Sequence, residues 1–487
     1  MKVVEVKKKG TMGKIWMVFS GLILTVALQA QNEMNVLGHW SDSTLVGSSF
    51  YDNTYNEIWG LAVGGHEYAI VGSTAGTHFI DVTDPSAPFE AHFVPGLQQG
   101  GAVIHRDYHD HKGYLYAVCD EGNSSLQIMD IRNLPDTVIL AYDSNELIAT
   151  AHNIFIDTAQ AVLYAFALNG GPQRYSAMRL YDLQDPLAPE YIGEYQTFSG
   201  LRLGHVHDGY VRDGIAFLNG GNDGFAVVDF RDPYDPQTIS TITDYPFAGY
   251  NHSGWLTDDA RYYYMADETH GFDMKVVDMN DPCNAEVIET FNAGNNEPNS
   301  IPHNQLVACD YLYVSYYYEG LIVYDISDPS LPQKVAFYNT STEPNQRSYK
   351  GAWGVYPYLP SGNVLVSDMQ EGLFVLEGMG DNCSETQELT EVDLSCIDPS
   401  SAFSKVAVEL SIYPQPASHQ LTLTWPEDVV IQNISLRNLQ GQILKQEKVE
   451  SLRGGQLLWS VEEFPSGWYL LEVQGLEGVH FQSLVIE

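Results

Sequence analysis

Imidazole and indole side chains recur at one position of a repeated pattern that covers most of this sequence. Just before seven successive apolar segments stand Trp59-Gly60, His105-Arg106-Asp107, His152-Asn153, His207-Asp208, His252-Ser253, His303-Asn304 and Trp353-Gly354. Farther along, carboxylates stand at Glu121, Asp223, Glu268, Glu319 and Glu371. Neutral imidazole with carboxylate suits Zn, Mn or Fe, whereas carboxylate and carbonyl oxygens suit Ca. We therefore predict a site for a divalent metal ion, Ca or Zn, with four histidines as its ligands: His152, His207, His252 and His303.

The other members of this set are candidate ligand-binding residues. They are Trp59, His105, Asp107, Asp208, Glu319, Trp353 and Glu371. A mixed ring of imidazoles and carboxylates could also act as general acid and base on a glycan or an ester, although no individual residue is singled out as catalytic. The alternative is structural, with each histidine closing a hydrogen bond to the neighbouring repeat. Recurrence favours that alternative, because a catalytic site needs unlike residues in one place.

A repeated segment, typified by GLIVYDISDPSLP at 320–332, organises the chain around these residues. The residues that end the apolar runs are Asp81, Asp130, Asp182, Asp229, Asp278, Asp325 and Glu377, which are 49, 52, 47, 49, 47 and 52 residues apart. A period of roughly fifty residues is typical of β-propellers and too long for most solenoids. Each copy contains four short segments rich in Val, Ile and Tyr between Gly, Asp and Pro turns, which predicts a four-stranded antiparallel sheet. The aspartates of the turns are predicted to bind backbone N–H groups and not ligands.

The last repeat lacks a fourth strand, and the beginning of the mature chain contains a candidate for it. We expect 35–42 (NVLGHWSD) to pair with 372–377, which would tie the first repeat to the last and remove two open sheet edges. The predicted fold class is all-β, a seven-bladed β-propeller over 31–377 followed by a small C-terminal β-sandwich. An open array or a six-bladed ring is the competing architecture. In a propeller the first strands line the central channel, so the histidines and the carboxylates are expected around one channel mouth.

The net charge of the chain limits the classes of partner that it can bind. It has 23 basic residues against 63 acidic ones, a formal net charge of −40. Such a surface repels nucleic-acid phosphates and anionic lipids. Nucleic acid is therefore excluded as a partner, and cations or neutral glycans are favoured.

The N-terminus and the cysteines indicate export. Lysines, an apolar run over 15–28 and a small residue at Ala30 predict a signal peptide over 1–30. That run of about 14 residues is shorter than the roughly 20 that a spanning helix needs, and no later stretch is apolar enough, so we expect no transmembrane segment in the mature chain. Five cysteines permit two disulfides and leave one thiol. We expect Cys383 to pair with Cys396 first, and Cys283 with Cys309 second.

Residues 35–377 resemble the LVIVD-repeat, choice-of-anchor B family. The resemblance rests on VVDFRDP from Val227, HNQLV from His303, YLYVSYYYEGLIVYDISDP from Tyr311 and WGVYPYLPSGNVLVSDMQEGLFVLE from Trp353. It implies an exported β-propeller whose relatives differ in the cell-surface anchor that they carry, without an established biochemical activity.

The C-terminal residues resemble the type IX secretion sorting domain. The matching phrases are YPQPAS from Tyr413, LQGQILKQ from Leu439 and FPSGWYLLEV from Phe464, with Gln415 in place of the usual Asn. The resemblance implies handling by the type IX secretion machinery, passage through the periplasm to the outer-membrane surface or the medium, and removal of the tail. We therefore predict an acidic, polar linker over 378–404 and a sorting domain over 405–487.

These features predict an exported binding module whose ligand is unknown, with a surface glycan or a protein as candidates. The alternative is a metal-dependent hydrolase or lyase with a His/carboxylate site at the channel mouth. The tyrosines at 262–264 and 316–318 are predicted to lie in second strands, where alternate side chains would be core and the rest exposed.

Overall fold

The computed structural model describes residues 32–170, 173–295, 297–380, 389–397, 411–437, 443–475 and 479–486. The predicted signal peptide over 1–30 lies outside these residues. Within them the chain is made of strands, and the single helical element is a short 3-10 turn at Pro282–Asn284. The predicted all-β class is confirmed.

Two short strands, β1 (Asn32–Glu33) and β2 (Val36–Trp40), precede a series of sheets that each contain four antiparallel strands, and β1 adds a fifth, parallel strand to one of them by pairing with β28. Sheet 1 contains β3 (Tyr55–Val63), β4 (His66–Ser73), β5 (Gly76–Asp81) and β6 (Phe89–Pro95). Sheet 2 contains β7 (Arg106–His111), β8 (Tyr114–Cys119), β9 (Leu126–Asp130) and β10 (Ile139–Ser144). Sheet 3 contains β11 (Asn153–Asp157), β12 (Val162–Gly170), β13 (Gln173–Asp182) and β14 (Glu190–Tyr195).

A small hairpin of β15 (Thr197–Phe198) and β16 (Leu201–Arg202) leads to the remaining sheets. Sheet 4 contains β17 (Asp208–Arg212), β18 (Ile215–Asn219), β19 (Phe225–Asp229) and β20 (Gln237–Ile242). Sheet 5 contains β21 (Asn251–Leu256), β22 (Tyr262–Asp267), β23 (Met274–Asp278) and β24 (Glu286–Phe291). Sheet 6 contains β25 (Gln305–Ala308), β26 (Tyr311–Ser315), β27 (Leu321–Asp325) and β28 (Gln333–Tyr338), and sheet 7 contains β29 (Ala352–Tyr356), β30 (Val364–Asp368), β31 (Gly372–Leu376) and β2.

The first strands of these sheets contact one another in chain order, and the last of them returns to the first. The contacts run from β3 to β7, β11, β17, β21, β25 and β29, and β29 in turn contacts β3. The predicted N-terminal closure is confirmed, because β2 pairs antiparallel with β31, with Val36 opposite Leu376 and Trp40 opposite Leu373. The first strands therefore surround a central axis in a propeller-like arrangement, and this axis carries the candidate site.

Burial explains why the middle strands are apolar along their whole length. Strands such as β8, β30 and β31 are buried at every position, whereas β10 at the outer edge of sheet 2 contains no buried residue. A middle strand is covered on both faces by neighbouring sheets, so both of its faces must be apolar. The turn role of the repeated aspartates is also confirmed: Asp325 accepts a hydrogen bond from the Ser327 amide at 2.9 Å.

Both predicted disulfide pairings are wrong. The structure joins Cys283 to Cys396, with a Cα–Cα distance of 6.1 Å, and leaves Cys119 as a buried free thiol. Cys283 follows β23 and Cys396 belongs to the short described segment 389–397, which packs Leu394 into the core of sheets 4 and 5. Sequence separation favoured a local pairing, but the chain returns across these sheets after sheet 7 and brings two distant cysteines together. Cys383 lies outside the described residues.

The C-terminal strands pair in one sheet. They are β32 (Ser411–Tyr413), β33 (Gln420–Arg437), β34 (Ile443–Ser460), β35 (Gly467–Gly475) and β36 (Val479–Ile486), in the order β32-β33-β35-β36, with β34 paired to β33. Their shared core includes Leu423, Ile434, Trp459, Leu471 and Leu484.

Candidate metal site at the mouth of the central channel

Five histidines and one tryptophan form a closed ring of aromatic side chains at the start of the first strands. The ring centroids of His105, His152, His207, His252, His303 and Trp353 are successively 4.7, 4.1, 4.1, 4.5 and 4.5 Å apart, and 5.2 Å separate Trp353 from His105. These rings line a cavity of about 200 Å³, the mouth cavity, together with Glu268 and Tyr317. The structure thus brings together the four predicted metal ligands and two of the predicted ligand-binding residues.

Hydrogen bonds at Nδ1 define the tautomer of four of the histidines. The Nδ1–H groups of His207 and His303 donate to the backbone carbonyls of His252 (3.2 Å) and Trp353 (2.6 Å) on the neighbouring sheets. Hydrogen bonds of this kind are expected if the histidines serve only to join neighbouring repeats. They also leave the lone pair on Nε2, which is the arrangement that orients an imidazole for metal binding.

The other two bonds reach carboxylates. His105 Nδ1 lies 2.5 Å from Glu121 Oε1, and His152 Nδ1 lies 2.9 Å from Asp120 Oδ2. A carboxylate behind a histidine is the usual second partner of a metal-bound imidazole. Asp120 was missed by the sequence interpretation, although it directly precedes Glu121 in a turn that the repeat alignment had identified.

Burial keeps the inner imidazoles neutral. It lowers the pKa of His303 to about 3 and holds the pKa values of His207 and His252 well below the ordinary value, with neighbouring histidines adding to the effect. A metal ligand must be the unprotonated imidazole. These three side chains are therefore available as ligands at neutral pH.

Glu268 places a carboxylate beside His252, and no described Lys or Arg forms an ion pair with it. Burial raises the pKa of Glu268 to about 7, the hydroxyl of Tyr317 donates to Oε1 at 2.5 Å, and Oε2 lies 3.9 Å from His252 Nε2. The other ring nitrogen, His252 Nδ1, is buried without a hydrogen-bond partner among the described residues. A buried carboxylate that faces neutral imidazoles and no Lys or Arg is an environment that a bound cation would satisfy.

Two groups of side chains at the mouth can each offer three ligand atoms within 4.8 Å of one another. One is His252, Glu268 and His303, and the other is His105, Asp120 and His152. His207 stands between the two groups on the ring. Two nitrogens and one oxygen suit Zn, Mn or Fe better than Ca, which prefers oxygen ligands.

A layer of carboxylates lies below the histidine ring. Asp107 and Asp208, both predicted ligand-binding residues, stand there with Glu57 around small cavities that continue the channel. Burial raises the pKa of Asp208 to about 7 and that of Asp107 well above its ordinary value. Asp107 Oδ2 accepts a hydrogen bond from the Ile154 amide at 2.7 Å, which links sheet 2 to sheet 3.

The variant Glu57→Gln is expected to stabilise the protein at alkaline pH. Burial raises the pKa of Glu57 from 4.5 to about 7, and the charge of Asp208 adds to the effect. Because the folded state binds this proton more tightly than the unfolded chain, ionised Glu57 costs about 3 kcal/mol of the free energy of unfolding above pH 7, and nothing below pH 4.5. Thermal unfolding at pH 8 should show a higher Tm for the variant, and the difference should close towards pH 4.5.

The exposed Glu286→Gln is the matched control for this prediction and should leave Tm unchanged at both pH values. A Glu57→Gln variant whose Tm difference from the wild type is the same at pH 8 and pH 4.5 would contradict the assignment of a raised pKa to Glu57.

Trp59, Glu319 and Glu371, which were also predicted to bind a ligand, do not line the mouth cavity. Trp353 lies at a pairing irregularity of sheet 7, and the corresponding irregularity of sheet 1 lies between Tyr55 and Ile58. Trp59 lies farther along β3 and therefore lines a cavity at the other end of the channel. Glu319 Oε1 instead accepts hydrogen bonds from Asn295 (3.2 Å) and Asn345 (2.8 Å). Glu371 contributes its backbone carbonyl to His39 Nε2 at 2.8 Å.

The predicted alternation of the tyrosines is also wrong. Tyr316, Tyr317 and Tyr318 are all buried, because β26 ends at Ser315 and the three residues form the turn after it. In β22, Tyr263 and Tyr264 are both buried. A turn has no period-2 pattern, and a strand covered on both faces has no exposed side.

Two family matches lie within the chain. Residues 306–340 match the LVIVD repeat, and residues 411–487 match the secretion system C-terminal sorting domain. No curated protein matches the sequence. None of the described helical residues forms a helix with the length and apolar character of a membrane span.

Solved structures with a similar chain path are distant. A periplasmic gluconolactonase from Pseudomonas aeruginosa is 12% identical, with coverage of 83% of this chain and 98% of its own and a TM-score of 0.47. A candidate 6-phosphogluconolactonase from Bacteroides uniformis is 14% identical (72% and 96% covered, TM-score 0.45), and one from Bacteroides fragilis is 11% identical (86% and 100% covered, TM-score 0.43). Scores at this level transfer no activity to this chain.

The sorting domain has the clearer consequence, since it marks a protein that the type IX secretion machinery delivers to the outer-membrane surface or the extracellular space. The chain is therefore an exported protein that carries an LVIVD repeat over 306–340 and a secretion system C-terminal sorting domain over 411–487.

Proposed function

We propose that residues 31–377 form a seven-bladed β-propeller that acts as a binding module outside the cell. The closed series of contacts from β3 round to β29 and the pairing of β2 with β31 support seven blades. We further propose that 1–30 is a signal peptide, that 378–404 is a linker and that 405–487 folds as a small β-sandwich that is removed after export.

We propose that the mouth of the channel binds one divalent transition-metal ion, Zn in the first instance, between His252, Glu268 and His303. The observation that carries this proposal is the convergence of their three ligand atoms within 4.8 Å. The neutral imidazoles and the buried carboxylate of Glu268 beside His252 Nε2 are further support. A tetrahedral ion held by these three protein ligands would keep one position for water or a substrate.

Zinc titration tests the proposal. Chelated, purified protein is expected to bind one equivalent of zinc in isothermal titration calorimetry, with Tm rising on binding. The variant Glu268→Gln, which keeps the size of the side chain, should lower the affinity for zinc by about tenfold or more, and His303→Ala by about a hundredfold. Elemental analysis of the untreated protein provides an independent measurement.

The matched control is His92→Ala, since the His92 imidazole contacts the Pro135 carbonyl away from the mouth. Because His303→Ala also removes the hydrogen bond to the Trp353 carbonyl, circular dichroism must show that each variant is folded. A wild type that binds no zinc, or folded variants that bind it as tightly as the wild type, would overturn the metal site.

A metal-dependent hydrolase is the second candidate function. The specific observation in its favour is that Glu268 and Tyr317 line the mouth cavity, so a metal ion held there would have room for a water molecule that it could activate. Zinc-loaded protein should then hydrolyse a simple p-nitrophenyl ester faster than chelated protein, and Glu268→Gln should abolish the difference. Equal hydrolysis rates for the zinc-loaded and the chelated protein would contradict the hydrolase and favour the binding function, with a surface glycan or a protein as ligand.

A further inference from the structure

A second cavity, of about 380 Å³, lies at the far end of the channel from the histidine ring. We call it the aromatic cavity, because its walls are formed by ends of the first strands that carry large rings. Its aromatic lining residues are Trp59, His109, Phe155, Tyr210, Trp255 and Tyr358. A packed protein interior leaves few voids larger than a water molecule, so a space of this size at the end of a channel is a candidate ligand site.

The rings around this cavity form a continuous collar. Successive centroids from Trp59 to His109, Phe155, Tyr210 and Trp255 are 4.6, 4.9, 5.4 and 4.6 Å apart. Tyr358 lies 6.4 Å from Trp255 and 5.4 Å from Tyr356, and Tyr356 closes the collar at 5.1 Å from Trp59. The collar therefore encircles the channel.

Several rings are held at their polar ends by the protein itself. Trp59 Nε1 donates to Asp110 Oδ1 at 2.9 Å, and the Tyr358 hydroxyl donates to the Val307 carbonyl at 2.5 Å. These bonds anchor both rings as parts of a preformed wall. A preformed aromatic cavity loses little conformational entropy when a ligand enters.

The charge of the cavity is negative. Asp157, Asp213 and Asp258 belong to its lining, whereas its one guanidinium among the described residues, Arg212, is buried and donates to the Thr257 carbonyl at 2.9 Å and to the Tyr210 hydroxyl. Burial lowers the pKa of His109 to about 4, so that ring is neutral at physiological pH. Aromatic faces with carboxylates at the rim attract cations and repel anions.

The geometry points to a site for an organic cation, of the quaternary ammonium class, in the aromatic cavity. Its methyl groups would contact the collar and its charge would lie near Asp213 and Asp258 at the rim. The carboxylates disfavour an anionic ligand, and the continuous collar provides the ring faces that a cation without N–H groups requires. This site is independent of the proposed metal site, which lies at the opposite end of the channel.

Calorimetric titration of the full exported chain with choline and with its neutral isostere 3,3-dimethylbutan-1-ol tests the inference. Choline should bind at least about tenfold more tightly than the isostere, because only the cation interacts favourably with the ring faces and the carboxylates. Trp255→Leu should weaken choline binding by about tenfold or more. Tyr234→Leu, at a side chain that is 72% exposed on the outer surface, should leave it unchanged.

Asp213→Asn supplies a variant that does not disturb the core. Asp213 is exposed in a turn with φ of 50°, a conformation that Asn also adopts readily, so the substitution removes charge and keeps the fold. Choline affinity should fall severalfold in this variant. Equal binding of choline and its isostere, no binding of choline, or binding of glucose in preference to choline would each overturn the assignment of a cation site.

Discussion

Deletion of residues 32–40 is expected to lower Tm by about 10 °C or more. The deletion removes β2, which is the fourth strand of sheet 7, and exposes the edge of β31; it also removes β1, which pairs with β28 of sheet 6. It also removes Leu37 and Trp40, which pack on the core between sheets 7 and 1. Burial of two such side chains contributes about 4 kcal/mol, and each kcal/mol corresponds to about 2–4 °C in a domain of more than 150 residues.

A single substitution in the same strand tests this closure without shortening the chain. A Cβ on Gly38 would lie 2.0 Å from the Pro85 carbonyl oxygen of sheet 1, so Gly38→Ala should destabilise the protein. Ser41→Ala, at an exposed position directly after β2, is the matched control and should have a much smaller effect. Differential scanning calorimetry measures all three variants. A deletion that leaves Tm unchanged would favour an open array of sheets over a closed ring.

Lys275→Met is expected to destabilise the protein by about 3–5 kcal/mol, because it leaves a buried charge without its partner. Lys275 Nζ lies 2.8 Å from Asp267 Oδ2, and both side chains are fully inaccessible to solvent. Burial lowers the pKa of Lys275, while Asp267 opposes that shift. Asp267 also accepts hydrogen bonds from the Gly249 amide and the Asn251 side chain. Removing the charge of Lys275 would therefore disturb the turn that carries Glu268.

Urea unfolding of Lys275→Met and of Arg231→Met measures this contrast. Arg231 pairs with Asp229 at 2.6 Å, but its side chain is 56% exposed, and exposed ion pairs contribute between about 0 and 1 kcal/mol. The double variant Lys275→Met with Asp267→Asn should recover part of the lost stability, since it removes the unpaired charge. Similar effects of the two single variants would show that the buried pair is not a major contributor.

Local sequence patterns predicted much of the fold. The period of the apolar runs predicted four-stranded sheets, and the short NVLGHWSD segment predicted the closing strand, because each depends on side chains close together in the sequence. The histidine ring followed from the same periodicity, since equivalent residues of successive repeats occupy equivalent places around one axis. The same periodicity placed Trp59 on this ring, but a pairing irregularity in β3 shifts the equivalent position to the neighbourhood of Asn56.

Pairings between distant segments did not follow from the pattern. Cys283 and Cys396 are 113 residues apart in sequence, and only the return of the chain over sheets 4 and 5 brings them together. Glu268 and Tyr317 belong to different sheets, and their contact arises from the burial of both side chains at the mouth. The aromatic collar has no sequence signature, because large rings in strands are more often part of a core.

The sequence by itself determined that this protein is exported, that it is built from repeated sheets and that its histidines meet in one place. Periodicity and targeting signals are properties of local sequence, and they need no knowledge of contacts. Tertiary structure alone decided which imidazoles share a carboxylate, which nitrogen carries the free lone pair, and which aromatic residues face the far end of the channel. Those properties depend on distances of a few ångströms and on burial, which only the packing of the sheets against one another sets.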